Sequence, residues 1–307
     1  MRIRKVLFCL LALVLLSSCG NTKALKHFKK GETVEENFKV TLPFETKQGW
    51  IIIPVDIKNK TYQFLFDTGA PSIVSKELAD HLNLKVIDSI DAYDVYNQPQ
   101  INKYVSLDHI KIGDINFAET TAIINDFNKV KMWSSLEVDG FVGSNLMQQA
   151  IWDVDYKKKE ITITDDESQL NLPEDIIENK MFVGYAGLPS IACKINGEKI
   201  WNFSVDYGYN GDIVIPFSEF EKQIEESKIS DFNKSKTQGA IGIYGKQKNA
   251  RESYSGIIDE IEFGNTTLKN QQVYAEPYLD KIFGLNFFKN YRVILNWKTK
   301  KIKLIEY

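Results

Sequence analysis

The amino-acid sequence predicts an all-β protein that consists of two similar lobes. Three observations lead to this prediction. Phe and Tyr are frequent, with 18 and 14 copies, and they lie beside β-branched residues in many short runs of the kind that form strands. Few stretches have the 3.6-residue period of a helix, and strands do not alternate with helices as they do in parallel sheets. Finally, four blocks of sequence occur twice in the same order.

Composition sets broad limits on the function. The chain has 307 residues, of which 43% are hydrophobic and 26% charged, a balance typical of globular proteins. The net charge of -3 includes no clustered basic excess, so we expect no nucleic-acid partner. The sequence motifs of serine hydrolases and phosphate-binding loops do not occur. Three histidines are scattered without ligand spacing, so we expect no metal and no cofactor: His27, His81 and His109.

Residues 1–19 are predicted to be a lipoprotein signal peptide. Positive residues open the chain, and the apolar run at 6–16 is too short to span a membrane. The stretch L-S-S-C-G at 16–20 is similar to a bacterial lipobox, whose cysteine carries the lipid. This predicts lipidation of Cys19 and a lipid-anchored protein of the bacterial cell envelope, on the periplasmic side or at the cell surface. The alternative is an ordinary secretory signal in which Cys19 is incidental.

Residues 20–40 are polar and charged, which predicts a flexible tether between the anchor and a folded domain. Its lysines are expected to be solvated, and contact with anionic lipid is the other interpretation: Lys23, Lys26, Lys29 and Lys30. Farther along, Cys193 stands in a strand-like run and is predicted to be a small buried hydrophobic residue.

An internal repeat organises the rest of the chain. The stretch T-Y-Q-F-L-F-D-T-G-A-P-S-I-V-S at 61–75 matches K-I-W-N-F-S-V-D-Y-G-Y-N-G-D-I-V-I-P at 199–216, and Asp67 falls on Asp206. In both copies an apolar strand runs into Asp-X-Gly and a polar turn. A strand pair precedes each copy, at 50–64 and 188–203, the second with an Asn-Gly hairpin signal.

Two later blocks repeat with an offset of about 140 residues and small insertions. L-D-H-I-K-I-G at 107–113 matches I-D-E-I-E-F-G at 258–264, and 141–163 matches 282–304. The last pair begins with F-V-G or I-F-G, continues through a predicted helical turn (145–149 or 286–290) and ends in an aromatic hairpin. The predicted lobes are therefore residues 41–165 and 181–307, joined by a linker at 166–180.

The sequence D-T-G-A, followed downstream by F-V-G and repeated in outline, resembles the aspartic peptidases of the retropepsin and pepsin group. The resemblance covers about residues 41–307. It implies an acid-protease fold, two β-barrel lobes with a cleft between them, in which each lobe supplies one catalytic Asp. Each lobe is as short as a retropepsin unit, yet both are in one chain, so we expect a monomeric pseudo-dimer.

The resemblance implies an endopeptidase with Asp67 and Asp206 as the catalytic pair. Two close carboxylates share one proton, and the ionised member activates a water that attacks the peptide carbonyl. Gly69 and Gly208 would allow the tight turns. The resemblance also implies that the Thr68 hydroxyl bonds across the two-fold axis. Ala70, where pepsins usually have a hydroxyl residue, follows the retropepsin pattern, which goes with a less acidic working pH.

The second turn departs from the family pattern. It reads Asp206-Tyr207-Gly208, and Tyr is too long to copy the short hydroxyl bond expected of Thr68. Either the lock between the turns is one-sided, with a hydroxyl bond from the first turn alone, or the second turn is relaxed and the pair of carboxylates is misplaced. The rival hypothesis is therefore an envelope binding or scaffold protein that kept the fold and lost catalysis, with Asp67 and Asp206 as simple turn formers. A sugar-binding envelope protein is a third hypothesis.

A hairpin flap is expected over the cleft. In the first lobe the matching segment is about 93–104, and its predicted tip includes Tyr96, Asn97 and Gln98. In the second lobe the glycine-rich stretch 238–254 is either a flexible flap or a surface loop. The expected partners are a polypeptide substrate and, through the N-terminal lipid, a membrane.

Overall fold

The predicted all-β, two-lobed architecture is confirmed. The structure is a computed structural model that describes residues 23–93, 99–238, 242, 244–245 and 249–307. The predicted signal peptide and Cys19 lie outside the described residues. No helix within the described ranges is both long and apolar enough to cross a membrane.

The first lobe is built on one curled sheet of eleven strands in the spatial order β1-β10-β9-β4-β5-β12-β6-β11-β8-β7, with β3 paired to β4. Its strands alternate buried and exposed residues, or are buried throughout near the centre, because one face packs on the core. The strands are β1 (Glu32–Thr33), β3 (Glu45–Lys47), β4 (Trp50–Ile57), β5 (Lys60–Asp67), β6 (Ile73–Ser75), β7 (Val86–Tyr93), β8 (Pro99–Leu107), β9 (Ile110–Ile112), β10 (Ile115–Ala118), β11 (Thr120–Asn125) and β12 (Gly140–Gly143).

A six-stranded antiparallel sheet joins the two lobes, in the order β15-β24-β23-β13-β14-β2. At its centre β13 pairs with β23, and Asp153 lies opposite Ile294. The aromatic hairpins that end the two repeats therefore meet side by side across an approximate two-fold axis. The strands are β2 (Lys39–Pro43), β13 (Ile151–Asp155), β14 (Glu160–Thr164), β15 (Ile177–Val183), β23 (Tyr291–Asn296) and β24 (Lys301–Glu306).

The second lobe continues from β15 in the order β16-β17-β22-β18-β21-β20-β19, and β20 also pairs with β16. The resulting closed shape surrounds a core rich in Phe and Ile, which includes Phe203, Phe263 and Phe283. The strands are β16 (Pro189–Ile195), β17 (Glu198–Asp206), β18 (Ile213–Val214), β19 (Ile229–Thr237), β20 (Arg251–Phe263), β21 (Thr266–Ala275) and β22 (Ile282–Gly284).

Helices are short and serve as connections. The two predicted helical turns correspond to α3 and α5, whereas α1, α2 and α4 were not expected from the repeat. In α1 the Ser75 hydroxyl caps the helix by accepting a hydrogen bond from the Leu78 backbone N–H at 3.0 Å. The α-helices are α1 (Lys76–His81), α2 (Lys131–Leu136), α3 (Ser144–Met147), α4 (Phe217–Glu225) and α5 (Leu285–Phe288), and 3-10 turns cover Phe127–Lys129, Glu167–Gln169 and Tyr185–Gly187.

The segment expected to be a flexible tether is packed from residue 23 onward. Residues 23–28 are helical, and Ala24 and Phe28 are buried with Ile90, Tyr104 and Ala186, which come from both lobes. The physical reason is the spacing of Ala24 and Phe28, four residues apart, which places one apolar face on the protein within a lysine-rich stretch. Strands β1 and β2 then add backbone hydrogen bonds to both large sheets.

Two boundaries differ in detail from the sequence prediction. Strand β2 begins at Lys39 and belongs to the sheet that joins the lobes. Strand β15 begins at Ile177, inside the segment expected to be a linker. Both strands are short and flanked by charged residues, which hides them in the sequence. Cys193 is buried as expected, and burial raises the pKa of its thiol.

Candidate active site

Asp67 and Asp206 end equivalent strands in the two lobes. Asp67 closes β5, which pairs in parallel with β12 so that Asp67 lies opposite Gly143. Asp206 closes β17, which pairs in parallel with β22 so that Asp206 lies opposite Gly284. In each lobe the strand after the turn, β6 or β18, pairs antiparallel with that same crossing strand. The strands before and after each Asp-X-Gly turn are therefore both hydrogen-bonded to the same crossing strand, which holds the turn in place.

Backbone amides of its own turn orient each carboxylate. The Gly69 N–H donates to Asp67 Oδ1 at 2.8 Å. The Gly208 and Tyr209 N–H groups donate to Asp206 Oδ1 at 2.9 and 3.0 Å. Asp67 is 7% exposed, and Asp206 is half-buried. The two carboxylates are thus fixed in position while one side of the pair remains open to solvent.

The two turns face each other with each carboxylate against the opposite glycine. A Cβ atom placed on Gly69 would lie 2.3 Å from the Asp206 carboxyl carbon. A Cβ atom placed on Gly208 would lie 2.4 Å from Asp67 Oδ1. Any side chain at either position would collide with the opposite carboxylate, so glycine is required in both turns. The structure therefore brings the two sequence-predicted carboxylates together.

The environment favours protonation of the carboxylate pair. Burial raises the pKa of Asp67, and the nearby Asp206 charge raises it further. Burial also raises the pKa of Asp206, although the backbone N–H groups of Tyr209 and Gly208 act in the opposite direction. Two acids that interact in this way titrate as a pair, so that one proton is retained at a pH where isolated Asp side chains are ionised.

Thr68 locks the two turns together. Its hydroxyl donates to the Val205 carbonyl oxygen at 2.6 Å and accepts from the Tyr207 backbone N–H at 3.0 Å. Thr68 itself is fully buried. Hydrogen bonds in such surroundings are well shielded from water. The side chain expected to bridge the lobes does so, with both of its bonds reaching the residues that flank Asp206.

The Tyr207 side chain forms no equivalent hydrogen bonds with the first turn, so the lock between the turns is one-sided. Its ring enters the core, stacks on Phe288 with centroids 5.2 Å apart and meets the edge of Phe66 at 5.3 Å. The buried Tyr207 hydroxyl has no hydrogen-bond partner in the described residues. Aromatic packing therefore takes the place of the second hydroxyl bond, and the second turn keeps its position opposite Asp67.

A polar network supports the first turn from below. The Ser144 hydroxyl donates to the Thr68 carbonyl oxygen at 2.6 Å. The Asn145 side chain accepts from the Ser72 N–H at 2.7 Å and donates to the Thr121 carbonyl oxygen at 2.8 Å. Sequence analysis placed Asn145 on a helical turn without a role. The parallel position in the second repeat is Asn286, whose N–H donates to the Gly211 carbonyl oxygen at 3.0 Å.

Trp50 is a further contact to the site that sequence analysis missed. Its indole Nε1–H donates to the Gly208 carbonyl oxygen at 2.8 Å, from the first lobe to the second turn. Beside it, the Asn210 side chain donates to the Gln48 carbonyl oxygen at 2.9 Å. The sequence showed Trp50 only as the start of a strand, and no local pattern marks a contact 158 residues away along the chain.

The segment expected to form the flap belongs to a hairpin of β7 and β8, paired from Val86–Val105 to Tyr93–Pro99. The predicted tip residues Tyr96, Asn97 and Gln98 lie outside the described residues. From the second lobe, the Tyr244 hydroxyl donates to Asn102 Oδ1 on β8 at 2.6 Å. The Gly242 carbonyl oxygen accepts from Trp133 Nε1 at 3.0 Å. The glycine-rich stretch of the second lobe therefore contacts the first lobe at this hairpin and at α2.

The described residues contain no group of three or more His, Cys, Asp or Glu side chains that could hold a metal ion. The three histidines do not approach the carboxylate pair through any described hydrogen bond. His27 instead pairs with Asp88 at 2.9 Å and stacks on Tyr104.

Comparison with known proteins agrees with the fold. Residues 53–146 match a family model described as "Aspartyl protease". The structure is similar to the crystal structure of basic 7S globulin from soybean, with a TM-score of 0.51 and 10% sequence identity over 88% of this chain and 95% of that chain. A search of curated proteins found no match.

The two lobes and their paired turns form a two-lobed pepsin-like fold, as the sequence resemblance implied. The segment of the first lobe that matches the aspartyl protease model includes Asp67 and the crossing strand β12.

Proposed function

We propose that this protein is an aspartic endopeptidase with Asp67 and Asp206 as its catalytic residues. The observation that carries the proposal is the placement of each carboxylate against the glycine of the opposite turn. Such an arrangement arises only when two Asp-X-Gly turns from two lobes meet face to face. The raised pKa values of both acids support it, because groups with shifted pKa values concentrate at functional sites.

The chemistry follows from one proton shared by two acids. In the reactive form, one carboxyl group is protonated and the other is ionised. The ionised group accepts a proton from a water while the water oxygen attacks the carbonyl carbon of the peptide bond. The protonated group donates its proton to the carbonyl oxygen. Collapse of the resulting tetrahedral intermediate returns a proton to the leaving nitrogen, so that an amine and a carboxylic acid are released.

We further propose that the substrate is a polypeptide and that the protein acts as a monomer with two pseudo-symmetric lobes. Both catalytic carboxylates come from one chain, which supports a site complete in a single copy. The lipobox-like stretch at 16–20 supports a lipid anchor on Cys19 and a place in the bacterial cell envelope. No nucleic-acid partner is expected, since the net charge is -3.

The second candidate function is an envelope binding or scaffold protein with a pepsin-like fold. One observation favours it: Tyr207 replaces the expected short hydroxyl residue, and its hydroxyl is buried without a partner. In this case the Asp67 and Asp206 carboxylates would shape a binding cleft. The first candidate is preferred because the second turn keeps its position despite the replacement, held by Thr68 and Trp50.

Cleavage of a mixed library of unfolded peptides by the full-length protein tests the proposal. Wild type is compared with Asp67→Asn and Asp206→Asn across acidic to neutral pH. Asp259→Asn is the matched control, because Asp259 is exposed on β20 and undergoes the same chemical change. We expect cleavage by wild type and the control, and a loss of at least about a hundredfold in either dyad variant. Binding of library peptides without cleavage by folded wild type would support the scaffold function.

A further inference from the structure

A pocket with a basic rim lies where the N-terminal helix meets both lobes. Its volume is about 370 Å³. Helical residues 23–28, the 3-10 turn Tyr185–Gly187 and the turn between β23 and β24 all contribute to its lining. The walls include the apolar side chains Leu25, Phe28, Val183 and Trp297. None of these residues has a role in the proposed peptidase site.

The rim of this pocket carries three lysines that form no ion pair among the described residues. Lys29, Lys298 and Lys300 line the pocket, and no carboxylate appears among its described lining residues. The nearby Asp166 partly compensates Lys298, because hydrogen bonds from Ser168 and the charge of Lys298 lower the pKa of the Asp166 carboxyl group. All three lysines are exposed, and none forms a salt bridge with another described residue. The contrast with neighbouring lysines is clear, since Lys301 pairs with Glu178 at 2.7 Å and Lys303 with Glu167. The pocket thus has the charge needed to bind an anion.

The chain enters the described structure at the edge of this face. The helix at 23–28 turns Ala24 and Phe28 inward and leaves Lys23 and Lys26 exposed. The apolar run at 6–16 precedes it by only six residues. Six extended residues reach at most about 20 Å. If the apolar run or a lipid on Cys19 is held in a bilayer, the basic pocket is therefore held near the bilayer surface.

Two exposed side chains extend this face beside the pocket. Val183 and Tyr185 are 36% and 38% exposed, and the Tyr185 ring meets the ring of the lining residue Phe28 with centroids 5.3 Å apart. A surface Tyr among lysines is typical of segments that lie at the interface between a bilayer and water.

We propose that this face docks on an anionic bilayer and that the pocket binds the head group of one anionic phospholipid. The ammonium groups of Lys29, Lys298 and Lys300 would contact the lipid phosphate. The apolar walls formed by Leu25, Phe28, Val183 and Trp297 would contact the glycerol and the first acyl carbons. This inference concerns an interaction surface and does not depend on the proposed peptidase activity.

Photo-crosslinking from lipid vesicles tests the proposal. Full-length protein is mixed with vesicles that contain a photoreactive phosphatidylglycerol or a phosphatidylcholine with the same photoreactive acyl chain, and the crosslinked residues are mapped by mass spectrometry. We expect crosslinks at 23–30, 183–187 or 297–300, at least tenfold more abundant with phosphatidylglycerol. Each lysine near an anionic surface strengthens binding by about fivefold, so three of them exceed this threshold.

A matched pair of variants makes the test specific. Charge reversal of Lys29, Lys298 and Lys300 to Glu should reduce these crosslinks at least tenfold. The same change at the exposed Lys60, Lys131 and Lys236 alters net charge equally and should leave the crosslinks intact. Thermal unfolding checks that both variants fold. Equal crosslinking with both lipids, crosslinks elsewhere, or equal loss in both variants would overturn the proposal. Competition by millimolar glycerol phosphate that abolishes the crosslinks would also overturn the proposal, because it would show that the pocket is a site for free phosphate compounds.

Discussion

At the scale of single residues, the site depends on one buried and one half-buried acid that the fold brings together. Asp67 is almost fully buried, and Asp206 lies in contact range of the opposite turn. Ionising both would cost free energy, because the protein interior solvates charge poorly and the two charges repel. Burial raises the pKa of both acids, and the Asp206 charge raises that of Asp67 further. The acids thus reduce stability at neutral pH while they supply the proposed chemistry.

Asp67→Asn should therefore stabilise the protein at higher pH. The folded state holds the Asp67 proton more tightly than the unfolded state, so stability falls as pH rises from the ordinary Asp pKa of 3.8 through the raised pKa. The Asn side chain removes this loss. We expect the variant to gain on the order of 2 kcal/mol in unfolding free energy at pH 8 and much less at pH 4. Urea unfolding followed by Trp fluorescence measures both values.

The matched control for this measurement is Asp259→Asn, where an exposed carboxylate should change little at either pH. Equal destabilisation of Asp67→Asn at both pH values would show that the Asp67 carboxylate serves mainly as a turn former.

The Thr68 hydroxyl provides a second test at this scale. Thr68→Val keeps the shape of the side chain but removes both bonds to the second turn, from the hydroxyl to the Val205 carbonyl and from the Tyr207 N–H. Because the buried partners are left unsatisfied, we expect a loss of about 2 to 4 kcal/mol in unfolding free energy. Cleavage should fall as well, because the second turn loses its lock. Thr68→Ser, which retains the hydroxyl, should keep most of both. Equal effects of Val and Ser would contradict the role of the hydroxyl.

At the scale of structural elements, each Asp-X-Gly turn is held by a strand that pairs with the strands on both sides of the turn. Gly143 at the end of β12 shows how close this crossing is, because a Cβ atom there would lie 2.2 Å from the Pro71 carbonyl carbon. Gly284 has the same position in the second lobe, where a Cβ atom would lie 2.3 Å from the Gly211 carbonyl oxygen. Close packing against the backbone of the turn therefore requires glycine at the end of the F-V-G and I-F-G stretches.

Gly143→Ala should strongly destabilise the first lobe, because backbone atoms on both sides of the added methyl group would have to move. Overpacking of this kind costs about 1 to 3 kcal/mol or more. Gly184→Ala is the matched control, since a Cβ atom there would lie 3.5 Å from its nearest neighbour, the Leu188 carbonyl oxygen. Thermal and urea unfolding should separate the two variants. Similar stabilities would show that the β12 crossing is looser than described.

Much of this element-level organisation could be predicted from sequence, since the repeat marks equivalent strands and turns in order. Contacts between elements could not. Residues 23–28 read as a tether because exposed lysines surround Ala24 and Phe28, and only the surface they meet shows that these two are buried. The Trp50 contact with Gly208 joins residues far apart in sequence. The sequence leaves open whether Tyr207 makes the lock one-sided or relaxes the second turn, because its length is visible in the sequence while the core that receives its ring is not.

At the scale of the whole molecule, the lobes meet through a shared sheet and through the two Asp-X-Gly turns. Strand β13 pairs along its full length with residues 292–296 of β23. Arg292 on β23 donates two hydrogen bonds to the Asp153 carboxylate on β13, at 2.9 and 2.6 Å. This sheet sets the distance between the lobes and thereby the distance between Asp67 and Asp206. The pH dependence of cleavage is consequently a property of the assembled pair.

Cleavage should show a bell-shaped pH profile displaced toward neutral pH. Activity requires exactly one proton on the pair, so it falls when acid protonates both carboxyl groups and when base ionises both. Because both pKa values are raised, we expect both limbs of kcat/KM to lie above the ordinary Asp pKa of 3.8. Initial rates on one peptide across the pH range, with folding checked by fluorescence, measure the profile. An optimum below pH 3.8 would contradict the described environment.

The most direct measurement is a double-mutant comparison of kcat/KM on the best peptide from the library, with wild type, Asp67→Asn, Asp206→Asn and the double variant. If the two carboxylates act as one unit, each single variant loses about a hundredfold to ten-thousandfold, and the double variant loses little more than either. Near-wild-type activity in either single variant would contradict a shared catalytic pair. Losses that multiply in the double variant would also contradict it, because independent groups contribute separately.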